Sequence, residues 1–295
     1  MSDHSAYISP FSTRYASKDM QFIFSEDNKF RTWRKLWVAL AKAEKAQGLA
    51  ITDEQIAELE AHQDDINYED AQRRERECRH DVMSHVYAYG LQCPKAKGIL
   101  HLGATSCYVG DNTDVIIMKQ GLQLIRRKVL NVLDKLAKFA DEYKAMPCLA
   151  YTHIQPAQLT TVGKRATLWM NELYMDYLEL EHRLDSLALL GSKGTTGTQA
   201  SFMELFGGDE EKIRQLERDI AQQMGFDRVV PVSARWTISW FPLFPALLRR
   251  PANSATIFGF CRASRRWRNP LKSSRSVPRP CPTSAIPCVP NVFRP

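Results

Sequence analysis

Apolar residues recur every three or four positions along most of residues 1–233, the period of a helix with one buried face. Trp33, Leu36, Trp37, Leu40 and Ala41 share such a face on a helix that Ser25 caps. Thr52 with Gln55 forms a capping box ahead of Ile56 and Leu59. A third helix is expected from Asp70 to about Tyr89, followed by a break rich in Gly, Thr and Ser from Pro94 to Gly110. Beyond Asn112, the spacing of Val115, Met118, Leu122, Ile125, Val129, Leu133, Leu136 and Ala140 predicts a rod of roughly 30 residues and about 45 Å. A second rod is expected from Pro156 to about Leu190, since proline suits a first helical turn. Gly191 to Gly197 reads as a loop, and Asp209 to Met224 as a charged helix. No strand-period alternation and no internal repeat is visible. The expected class is all-α: an N-terminal helical domain over 1–110, a long antiparallel helical bundle over 111–233, and an irregular basic tail over 234–295.

Composition changes that picture at one place. The chain has 295 residues, and its 44% hydrophobic content supports a sizeable core. No apolar run reaches the roughly 18 residues of a membrane span, and Met1 to Pro10 lacks the order of a secretion signal, so a cytoplasmic protein is expected. Seven cysteines without a C-x-x-C pair indicate neither a disulfide framework nor a zinc site. The net charge of +7 is unevenly spread. Of the 40 basic residues 29 precede Ala234, as do all 33 acidic ones, so the first 233 residues carry a net −4. The last 62 residues hold 11 Arg or Lys, no Asp or Glu, and 10 of the 15 prolines. Arg249-Arg250 and Arg265-Arg266-Trp267-Arg268 within them suit either a nucleic-acid contact or a poorly ordered chain.

Three polar clusters carry candidate chemistry: Arg79-His80-Asp81, Thr105-Ser106, and Thr152-His153 with Gln158 beyond. Each falls at an expected helix end or turn, where side chains from separate elements converge on a cleft. His153 sits among hydrogen-bonding neighbours just before Pro156, a setting suited to proton transfer. The loop Lys193 to Gln199 offers backbone N–H groups, hydroxyls and one ammonium to an anion, or forms a tight interhelical turn; it is not a P-loop.

At these residues the chain resembles the adenylosuccinate lyase family of the fumarase/aspartase superfamily. The resemblance rests on Thr152-His153-Ile154-Gln155-Pro156-Ala157-Gln158, Arg79-His80-Asp81-Val82-Met83-Ser84-His85, Thr105-Ser106 and the run from Lys193 to Phe202, and it covers about residues 5–233. It implies β-elimination of fumarate from adenylosuccinate and from the related carboxamide intermediate of purine synthesis. By the same resemblance His153 is the acid, while Arg14, Tyr15, Arg79, His80, Asp81, Thr105, Ser106 and Thr152 hold phosphate and carboxylate groups. No metal or organic cofactor is implied, no membrane or nucleic-acid partner is expected, and intact members are homotetramers whose sites draw on several subunits. Argininosuccinate lyase is the alternative within the superfamily, and a helical binding protein with a basic tail the alternative outside it.

Two family segments are absent after Ser233: Gly-Gln-Thr-Tyr-Ser-Arg-Lys-Val-Asp, and the loop Ser-Ser-Ala-Met-Pro-Tyr-Lys-Arg-Asn-Pro that supplies a serine base. Both have a counterpart in a shifted frame. Pro278 to Asn291 has a legal coding which, preceded by one T, regroups to spell Ser-Ser-Ala-Met-Pro-Tyr-Lys-Arg-Asn-Pro-Met-Arg-Ser-Glu. Arg235 to Ala246 regroups likewise to Lys-Val-Asp-Tyr-Phe-Leu-Val-Ser-Ala-Leu-Ser-Gly. Each shifted codon fixes two of three bases in the hidden one, so agreement over two stretches points to an out-of-frame tail from Ala234, an incomplete bundle and impaired activity.

Overall fold

The structure, a computed structural model, describes residues 8–231. The tail from Ala234, with its arginine clusters and shifted-frame segments, lies outside them. The described part is mostly helical, as the periodicity predicts. A π-helical turn (Phe11–Tyr15) precedes α1 (Lys18–Ile23), α2 (Glu26–Ala46), α3 (Asp53–Ala61), α4 (Tyr68–Cys78), α5 (Asp81–Gln92) and α6 (Ser106–Glu142). A hairpin of β1 (Pro147–Thr152) and β2 (Gln155–Thr161) leads to α7 (Val162–Ser186), α8 (Ala200–Leu205) and α9 (Glu210–Gln223).

The expected caps are present. Ser25 accepts from Asn28 N, and Thr52 and Gln55 form the reciprocal box. Trp33, Leu36, Trp37, Leu40 and Ala41 are buried where α2 packs against α3, α6 and α9. Arg34 lies on the same helix, and its guanidinium donates to Asp65 O at 2.6 Å and Asn67 Oδ1 at 2.8 Å while stacking over Tyr89.

Three expectations need correction. The helix expected from Asp70 to Tyr89 is two helices, because Arg79 adopts a left-handed conformation (φ 54°) and His80 starts a new helix as its N-cap. The first rod begins at Ser106, before the periodic run, and its 37 residues make it about 55 Å long. The second does not begin at Pro156, which lies in β2; α7 starts at Val162. Strands therefore exist where none is legible. In the hairpin, Thr152 pairs with Gln155 across a two-residue turn whose residues, His153 (φ 49°) and Ile154 (φ 64°), share the positive φ of a type I′ turn. That turn normally announces itself as Asn-Gly, and His-Ile carries no such signal.

Gly163 N donates to Tyr143 O, and Arg126 faces Glu181, so α6 and α7 run antiparallel as the bundle reading requires.

Buried titratable groups set the pH response. His85 is stacked on Phe30 with 3.8 Å between ring centroids, and burial pushes it down to about 4. His101 accepts from Trp37 Nε1 and is likewise pushed down to about 4 by burial. Glu44 is fully buried, neither carboxyl oxygen has a hydrogen-bond partner among the described residues, and burial pushes it up to about 9. Between about pH 6.5 and 4 the unfolded chain binds protons that the native histidines refuse, so stability falls with pH by up to about 1.4 kcal/mol per unit per histidine. From pH 4.5 to 9 the native Glu44 keeps a proton that the unfolded chain loses, so stability falls as pH rises. Denaturant midpoints should therefore peak near pH 6 to 7, and Glu44→Gln should flatten the alkaline limb while leaving the acid limb.

Candidate active site

Thr105 is the N-cap residue of α6, and Ser106 is that helix's first residue. The Thr105 hydroxyl oxygen is buried without a hydrogen-bond partner among the described residues, although its residue lines a cleft of about 250 Å³. Across that cleft stand Gly194, Thr195, Thr196, Thr198 and Gln199, followed by Ser201 and Phe202 of α8. Cys107 Sγ lies 3.3 Å from Thr195 Oγ1, so the two walls meet there. The loop satisfies both readings in part: its threonines line a cleft, while Gly194 N donates to Thr198 O and Gly197 N to Gly194 O in a tight turn.

The ammonium does not. Lys193 Nζ is buried and donates to Leu190 O at 3.1 Å and Glu217 Oε1 at 2.9 Å. The sequence reading missed this pairing, because Glu217 lies in α9 among surface charges of the same helical pattern. It also missed Asn112, which is wholly buried on α6. Its amide donates to Tyr108 O and Gly191 O and accepts from Leu190 N and Gly191 N.

Arg79, His80 and Asp81 form the α4–α5 junction. His80 Nδ1 accepts from Met83 N at 3.3 Å, which caps α5. A nitrogen that accepts there carries no proton, so its 3.7 Å approach to Asp81 Oδ1 is not an ion pair; Asp81 instead accepts from its neighbour Val82 N. Its Nε2 is left as the donor. None of Arg79, His80 and Asp81 lines the Thr105 cleft. Arg14 and Tyr15 form the end of the exposed π-helical turn, with the guanidinium 5.6 Å from the Tyr15 ring centroid.

Thr152 and His153 stand apart. Both are exposed, and His153 makes no hydrogen bond or ion pair with another described residue. The hairpin follows the C-terminal end of α6, whereas Thr105 caps its N-terminal end about 55 Å away. A six-residue strand reaches about 20 Å, so one chain does not bring His153 to the Thr105 cleft. The turn is strained as well. Ile154 is β-branched at positive φ and 83% exposed, with no burial to offset that cost.

Among the described residues no group of three or more His, Cys, Asp or Glu is placed to hold a metal ion. No described helix is long and apolar enough to cross a membrane.

A profile of the family described as Lyase matches residues 11–220. Adenylosuccinate lyase of Saccharomyces cerevisiae is 50% identical over 238 residues, which are 80% of this chain and 49% of that protein. The Schizosaccharomyces pombe enzyme of the same name is 48% identical over the same length and shares. The chain thus spans about half the length of the curated relatives it matches. A solved fumarate lyase from Mesorhizobium sp. BNC1 superposes with a TM-score of 0.73 at 21% identity, covering 88% of this chain and 60% of that one. The 3-carboxy-cis,cis-muconate lactonizing enzyme of Pseudomonas putida gives 0.70 at 22% identity, over 84% of this chain and 56% of its own. At such identities the likeness is one of fold.

Proposed function

The chain belongs to the lyase family that its residues 11–220 match, and from that membership we propose that it derives from an adenylosuccinate lyase, a cytoplasmic enzyme of purine nucleotide synthesis. The observation that carries this reading is the 50% identity to the yeast enzyme across 80% of the chain. Such a lyase expels fumarate by β-elimination: a base takes the Cβ proton, donors hold the carboxylate as charge builds on it, and an acid protonates the departing nitrogen. In this proposal His153 is the acid. Thr105 and Ser106, joined by Thr152, Arg14, Tyr15 and the Arg79-His80-Asp81 junction, bind the dicarboxylate and phosphate ends.

The distance between His153 and Thr105 within one chain favours a site shared among subunits, with the hairpin of one supplying the cleft of another. Exposed apolar residues on the long helices support assembly as well: Leu130 and Val132 on α6, and Leu168, Tyr174, Met175 and Leu178 on α7. The proposal extends to the tail. Residues from Ala234 are read out of frame, and the serine base is spelled only in the frame not used.

Purified protein incubated with adenylosuccinate tests the reading through fumarate absorbance, alongside sequencing of the gene across the Ser233 codon. We expect no fumarate release and a displaced lyase frame downstream. An open frame with no lyase sequence in either register would overturn the frameshift, and turnover of argininosuccinate would move the substrate assignment.

A further inference from the structure

The cleft wall from Thr195 to Gln199 is held by two side chains that face away from the cleft. On one side Asn112 uses both amide hydrogens and its oxygen on residues Tyr108, Leu190 and Gly191, fastening the start of the loop to α6 as a neighbouring strand would. On the other, Glu217 Oε1 accepts from Ser192 N at 3.0 Å, Ser192 Oγ at 3.3 Å and Lys193 Nζ at 2.9 Å, fastening the next two residues to α9. Gln199 Nε2 closes the loop by donating to Ser192 Oγ at 2.9 Å, and Gly194 N donates to Thr198 O at 2.8 Å. Gly191 (φ 82°) leaves no room for an alternative: an added Cβ would lie 2.7 Å from Val229 Cγ1 and overlap the Glu217 carboxylate. Gly194 passes Thr105 so closely that its Cβ would touch the threonine methyl at 3.4 Å.

We propose that Glu217, acting with Asn112, is a positioning residue of this cleft: it neutralises Lys193 and sets the Thr195–Gln199 wall at its distance from Thr105. Neither residue touches the space a ligand would fill. Both act through the backbone of residues 190–193, and the charge on Glu217 is essential because Lys193 is buried with no other described carboxylate bonded to it. The consequence for chemistry rests on the lyase reading above, but the clamp is testable without turnover.

Cys107 is a built-in reporter, since its thiol contacts Thr195, while Cys93 is fully buried in the core and reports global opening. Alkylation of the full 295-residue protein with iodoacetamide, followed residue by residue by mass spectrometry, reads both. In Glu217→Gln the buried ammonium loses its counter-ion, and Cys107 should react roughly tenfold faster or more while Cys93 keeps its wild-type rate. Adding Lys193→Met to Glu217→Gln removes the stranded charge and should return Cys107 most of the way to its original rate. Ser192→Ala, which deletes only the hydroxyl's bonds to Glu217 and Gln199, should give a smaller rise of about two- to fivefold and serves if Glu217→Gln does not fold. Parallel acceleration of Cys107 and Cys93, or no change at Cys107 in any variant, would overturn the assignment. Neither outcome bears on fumarate release, so this idea and the lyase reading fail separately.

Discussion

On the proposed out-of-frame reading of the tail, a chain whose frame is restored after Ser233 should release fumarate from adenylosuccinate at least ~10³-fold faster than the 295-residue protein, because it would regain the proposed serine base. Recovery alone would show only that the continuation is needed. The sharper result is expected from adding His153→Gln to the restored chain. If His153 is the acid proposed to protonate the leaving nitrogen, its removal should lower kcat by about 10² to 10⁴, with a much smaller change in KM. The structure adds a further expectation. His153 lies on an exposed, strained turn remote from the Thr105 cleft of its own chain, so it should act in a neighbour's site. Mixing restored His153→Gln subunits with restored Thr105→Val subunits should then recover part of the activity that each lacks alone. Absence of complementation, with mixed assemblies demonstrated, would place His153 and Thr105 in one chain's site and contradict the length of α6.

Gly163→Ala should be among the most damaging single substitutions in the described fold, although it adds one methyl group. Gly163 is the second residue of α7, and its N–H donates to Tyr143 O at 2.9 Å where α7 lies against the end of α6. A Cβ there would overlap Ala140 O and lie 2.7 Å from Lys144 Cα and 2.8 Å from Lys144 N. These are backbone atoms of a packed helix end, which cannot swing aside as a side chain would. Relief requires α7 to separate from α6 along the seam that joins the two longest helices, and overpacking of this kind costs about 3 kcal/mol. The measurement is the shift in chemical-denaturation midpoint against wild type, with Gly98→Ala as the control, since a Cβ at Gly98 meets nothing within 4 Å. A loss at Gly163 no greater than at Gly98 would show that the seam is looser than its geometry.

The two glycines illustrate what a sequence withholds. Nothing in the sequence distinguishes them, and only the neighbour supplied by the fold makes one of them obligatory. The same holds at the cleft. Thr105-Ser106 and the Lys193 to Phe202 run stood out by residue type, and the structure does bring Thr105 face to face with residues 194–202 of that run. Lys193 read as a free cation because nothing in the sequence places Glu217, 24 residues on, against it. Asn112 marks only the start of the periodic run in the sequence, and three of its four hydrogen bonds exist only because residues 190 and 191 return to α6.

By itself the sequence determined the helical class, the caps, the face of α2 that is buried and the presence of two long rods, and it singled out the clusters that resemble the lyase family. These follow from local periodicity and short-range hydrogen bonding, which neighbouring residues specify among themselves. The tertiary structure alone decided that a hairpin with a strained His153-Ile154 turn precedes α7, that Arg79 breaks one helix into two, and that α6 holds His153 and Thr105 at opposite ends of a chain. Strand pairing, left-handed turns and the distance between sites depend on partners far along the sequence, and no local pattern encodes a distance.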